Sequence, residues 1–85
     1  MKITPAAEAQ NHRNALEVAR AHFGTRKPTY AEAHHYGDRL GFEAQQFAKA
    51  NGNWAGQHEA RADAAYYAGA AALELYFQGG KDDGA

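Results

Sequence analysis

The sequence predicts an all-α fold: a small three-helix bundle with antiparallel neighbouring helices. Three observations carry this. Breaks rich in Gly, Pro and Asn ("GTRKP", "NGN", "GG") divide the 85 residues into three long segments. Apolar residues recur within each segment at three- and four-residue spacing, the period of a helix with one buried face. The breaks between segments are short, which favours neighbours that reverse direction.

The first helix is predicted over residues 5–23. Thr4 can cap it, and Pro5 suits the first helical position, where a missing N–H costs nothing. Ala9, His12, Leu16, Ala19 and Phe23 form its stripe, and Gly24 follows as a stop. The second helix is predicted over residues 30–50. Thr29 and Glu32 have capping-box spacing, so each can satisfy a backbone N–H at the other's end. Tyr30, Ala33, Gly37, Leu40, Ala44 and Phe47 form the stripe, and Asn51-Gly52 ends it. Gly37 and Gly41 each weaken an isolated helix by about 1 kcal/mol relative to Ala, which points to close contact with a neighbouring helix as compensation.

The third helix is predicted from about Trp54, capped by Asn53, to Phe77, with Gly79-Gly80 as its stop. Its best stripe is Ala55, Glu59, Ala62, Tyr66, Gly69, Leu73 and Tyr76. From Ala64 to Phe77 the single charge is Glu74, and small side chains predominate. A helix apolar all round is expected to be covered all round, and small residues allow close approach by the other helices or a second chain. "LELYFQGG" also resembles the cleavage site of a potyviral protease. Tyr76, Gln78 and Gly79 match it, whereas Leu73 stands where that site has Glu. A scar of that kind would place the native end near Leu73.

Composition bounds the rest. Apolar residues make up 45% of the chain, but twenty-one of them are alanine, and Leu, Ile, Val and Phe together number ten. That is a thin supply for a core. Five Tyr, one Trp and a net charge of −1 argue against disorder. A second copy, forming a homodimer through the third helix, or a partner is expected to complete the core. Residues 1–80 are read as one domain and 81–85 as a polar tail. No stretch reaches the ~18 apolar residues of a membrane span, and the start lacks a signal-peptide core. A cytoplasmic protein is the expectation. Residues 1–30 carry a balance of +3 and residues 31–85 of −4.

Candidate chemistry is sparse. The chain has no Cys and no Ser. This excludes disulfides, thiolate zinc sites and Ser or Cys nucleophiles. Glu32-x-x-His35 has the spacing of a di-iron ligand pair, but no second pair exists to complete such a site. No metal or cofactor is expected, and no paired acid and base stands out among Asp38, Glu43, Glu59 and Asp63. A basic row does stand out. Arg13 and Arg20 share a flank of the first helix, and Arg26 and Lys27 follow in the loop, where they can meet phosphates or an acidic surface. Arg13 can instead pair with Glu17. Val18, Phe42, Tyr67 and Leu75 fall off their stripes, as members of either a contact surface or a slightly rotated core.

These features favour a non-catalytic, alanine-rich binding protein that docks on and occludes a surface of a larger protein or nucleoprotein. Adaptors and inhibitors from phages or mobile elements, anti-CRISPR proteins among them, resemble it in size and composition, though not by motif. The expected partner-binding residues are Arg13, Arg20, Arg26, Lys27, Phe42, Tyr67 and Leu75. The alternative is nucleic-acid binding through the basic row.

Overall fold

The computed structural model describes residues 4–84, with side chains described for residues 4–78. Three helices follow one another: α1 (Pro5–Phe23), α2 (Tyr30–Ala50) and α3 (Gln57–Gly84). The first two have the boundaries read from the sequence, because local chemistry sets them. Ala7 N–H donates to Thr4 Oγ1 at 3.1 Å. Gly24 closes α1 at φ 67°, a conformation that favours glycine, and its N–H donates to Arg20 O at 2.8 Å. The capping box of α2 is complete: Glu32 N–H donates to Thr29 Oγ1 at 3.1 Å and Thr29 N–H to Glu32 Oε1 at 2.9 Å.

Contacts across the helices give the topology. Tyr30 meets Tyr76, Gly37 meets Gly69, Gly41 meets Ala65, and Gln45 meets Arg61. One number rises as the other falls, so α2 and α3 are antiparallel. Asn11 meets Tyr67 and Arg20 meets Gln78, so α1 runs parallel to α3. The backbones of α1 and α2 do not approach each other. They touch through side chains, with the Phe23 and Tyr36 ring centroids 5.2 Å apart. The spatial order is therefore α1–α3–α2, with α3 covered on two flanks.

The α2–α3 seam is the tightest contact. A Cβ placed on Gly37 would lie 2.9 Å from Gly69 Cα, and one on Gly41 would lie 2.9 Å from Ala65 Cβ. The two glycines thus allow near backbone-to-backbone packing, which recovers dispersion contacts that alanine area alone does not supply. Among the described residues, six of the eight buried hydrophobic ones are alanines; Phe23 and Tyr36 are the two large ones. Leu16, Leu40, Leu73 and Leu75 pack half-buried against this cluster.

Close approach also explains where the stripes were misread. On α2 the buried line is Ala33, Tyr36, Gly37, Gly41 and Ala48, while Tyr30 and Phe47 are exposed. The glycines must face α3, and this rotates the bulkier residues to the side. On α3 the buried line is Ala68, Ala71 and Ala72, while Glu59, Ala62 and Tyr66 are exposed. A helix apolar on most sides gives hydrophobic periodicity little phase to detect. α3 also opens three residues later than expected. Asn53 Oδ1 accepts from Gly56 N–H at 3.1 Å in a turn that precedes the regular helix. At the far end the helical backbone continues through Gly79-Gly80 to Gly84 despite the ~1 kcal/mol penalty of each glycine. The side chains of the expected polar tail, 81–85, lie outside the described residues. No helix among the described residues is long and apolar enough to cross a membrane.

Candidate functional site

The loop between α1 and α2 gathers much of the basic row. Pro28, less than 2% exposed, anchors the loop, and Arg26 N–H donates to Phe23 O at 3.2 Å. Arg20, Arg26, Lys27 and Leu75 then line one cleft of about 230 Å³ together with Pro28 and Gln78. Arg20 Nη2 donates to Gln78 Oε1 at 3.4 Å, a bond to a neutral amide that leaves its charge uncompensated. Lys27 Nζ lies 5.9 Å from the Tyr76 ring centroid, and Tyr76 meets Tyr30 edge-on at 5.9 Å.

Arg26 is differently engaged. Its Nη1 lies 2.8 Å from Glu32 Oε1, and its guanidinium carbon lies 5.7 Å from the Phe23 ring. The hydrogen bond from Arg26, followed by the Thr29 backbone N–H, holds the Glu32 carboxyl at about 2, below its ordinary value of 4.5. Glu32 thus serves the helix cap and the loop together. A second cleft, of about 210 Å³, opens on the other side of Arg26, where His22, His35, Arg39 and the buried Tyr36 converge. Burial raises the Tyr36 phenol above its usual range, against the opposing pull of Arg39. Among the described residues no three of His, Asp and Glu gather as a metal site.

Of the other sequence-derived positions, Arg13, Tyr67, Phe42 and Val18 do not join this end. Arg13 lies seven residues before Arg20 on the same flank, about 10 Å away along the axis, and donates to Gln10 Oε1 at 2.6 Å. Tyr67 is half-buried against α1, with its ring centroid 5.0 Å from that of His12 and its hydroxyl accepting from Asn11 Nδ2 at 3.5 Å. Leu75 packs against the core cluster while lining the basic cleft. Phe42 and Val18 are half exposed or more. Rotation of the stripes therefore accounts for Tyr67 and Leu75, whereas Phe42 and Val18 remain at the surface.

Sequence reasoning missed a third feature, an outer groove between α2 and α3. With a volume of about 340 Å³ it is larger than the other two clefts. Gly37, Gly69, Ala70 and Leu73 form its floor, and His34, Asp38 and Tyr66 stand on its walls. Phe42 lies one helical turn beyond Asp38, and Phe77 one turn beyond Leu73, so both extend the same face. The signal was present in part: Tyr66, Gly69 and Leu73, members of the stripe expected to face inward, line the groove.

No protein family, curated protein or solved structure matches this chain.

Proposed function

We propose that this chain is a non-catalytic helical binding protein that docks on a larger protein, as an adaptor or an occluding inhibitor. One observation carries the reading. Among the described residues seven large hydrophobic ones are exposed, namely Val18, Tyr30, Phe42, Phe47, Trp54, Tyr66 and Phe77, and only Phe23 and Tyr36 of comparable size are fully buried. A chain with so few large apolar side chains loses stability by leaving them in water, at ~25 cal/mol per Å² of apolar area. Contact with a partner would recover that area. Single exposed hydrophobes are ordinary, but seven exposed against two fully buried among the described residues, with the others half-buried, is the arrangement of an interaction surface.

A photo-crosslinking residue placed in turn at Phe42, Tyr66 and Val18, with Glu17 as control, tests this in the cells that express the protein. Discrete adducts of one added mass at apolar positions, absent at Glu17, are expected. Adducts at no position, or equal adducts at all four, would overturn the reading.

A second reading, nucleic-acid binding, is favoured by the meeting of Arg20, Arg26 and Lys27 beside Tyr30 and Tyr76, a combination of cations and stacking surfaces. Against it stand the net charge of −1 and the Arg26–Glu32 pair. Titration of single-stranded and duplex DNA at two salt concentrations separates the two readings. Binding that weakens steeply with salt would favour nucleic acid.

A further inference from the structure

The geometry points to the outer α2–α3 groove as the docking site for a cationic amphipathic helix of a partner protein. This rests on the reading of the chain as a binding protein and names the surface and the partner's chemistry. Gly37, Gly69 and Ala70 line the groove with little side-chain bulk, so it has room for side chains from outside. Apolar contact comes from Leu73, Tyr66, Phe42 and Phe77, the last three at least half exposed. A helix lying in such a groove would anchor large apolar residues at i, i+4 and i+7 spacing.

Charge sets the sign of the partner. Asp38 stands on the α2 wall. Glu59, Asp63 and Glu74 follow the exposed side of α3 at spacings of four and eleven residues, which keep them near one face. All four are exposed, and none makes an ion pair or hydrogen bond among the described residues. Among the described residues no Lys or Arg lines the groove. Arg13, Arg20, Arg26 and Lys27 lie on α1 and in the loop after it, while Arg39, Lys49 and Arg61, on α2 and α3, lie outside the groove lining, Arg39 engaged by Glu43 and Arg61 by Gln45. A partner helix with a Lys- or Arg-rich edge would meet complementary charge along the groove, whereas an acidic helix would be repelled.

The test uses the full chain and a fluorescent synthetic Lys/Leu amphipathic peptide, with a Glu/Leu peptide of the same pattern as control. Binding of the Lys/Leu peptide alone is expected. Ala70→Glu decides between groove docking and diffuse attraction. It adds an acid to the floor, so charge alone predicts equal or tighter binding, whereas docking predicts a loss of about tenfold or more. Asp38→Asn with Asp63→Asn should weaken binding less and flatten its salt dependence. Circular dichroism melts confirm that each variant is folded; Phe42→Ala, at an exposed position, gives an independent check if Ala70→Glu is not. Equal binding of both peptides, or no loss with either Ala70→Glu or Phe42→Ala, overturns the groove. Cellular adducts at Val18 alone, without peptide binding, would discard the groove while leaving a binding protein; adducts nowhere would discard both.

Discussion

Replacing Gly37 by alanine should destabilise the protein, although alanine is the better helix former. In an isolated helix the change gains about 1 kcal/mol. Here the new Cβ would meet Gly69 Cα at 2.9 Å, Gly69 N at 3.2 Å and Ala65 O at 3.3 Å. All three are backbone atoms, and ordinary carbon contacts begin near 3.5–4.0 Å. The helices would have to separate by roughly half an ångström or more, loosening the Gly41–Ala65 contact one turn away. Overpacking of this kind costs about 1–3 kcal/mol. The net expectation is a loss of about 1 kcal/mol, within a range of about 0–2, and a fall in Tm of roughly 4–8 °C per kcal/mol for a domain of this size. Gly69→Ala is the control. Its Cβ would have Gly37 Cα as its nearest neighbour, at 4.0 Å, so it should keep the ~1 kcal/mol helical gain and raise Tm. Thermal melts followed by circular dichroism read both. If Gly37→Ala raises Tm as much as Gly69→Ala does, the seam is not packed on its glycines and the reasoning is wrong.

Other outcomes follow from the same structure. Phe23→Ala removes one of two large buried side chains and should cost about 3–5 kcal/mol, enough to unfold much of so small a domain. Phe47→Ser, at a position 72% exposed, should change stability by no more than about 0.5 kcal/mol; denaturant titration compares the two. Glu32 has a folded pKa of about 2 against an ordinary 4.5, so its contribution is complete above pH 4.5 and lost as pH falls toward 2. Glu32→Gln keeps a capping acceptor without the charge, and its Tm should decline less than the wild type's over that interval. Thr29→Ala should lower stability by about 1 kcal/mol through loss of the cap on Glu32 N–H, read from the same melts.

Helix ends set by local signals were legible in the sequence. Thr4, Gly24, the Thr29–Glu32 pair and Asn51 act on backbone groups within four residues, and both upstream helices begin and end where these residues place them. Rotation about the helix axes was less legible. Periodicity favours large apolar residues for the interior, which placed Phe47 and Tyr66 inward, whereas the α2–α3 seam selects the smallest residues. The same inversion hid the outer groove, which exists only because two helices meet over glycine. The gathering of Arg20, Arg26 and Lys27 was legible because eight residues of helix end and loop contain all three. The engagement of Arg26 by Glu32 was not, since Glu32 was read only as a cap and a possible metal ligand.

The account depends most on the outer groove as the working surface. Backbone amide shifts of the labelled full chain, followed by NMR during titration with the Lys/Leu peptide, test it most directly. The largest changes are expected at His34, Asp38, Tyr66, Ala70 and Leu73, with little change at Arg20, Arg26 and Lys27. Changes centred on the α1–α2 loop, or spread evenly over all three helices, would contradict it.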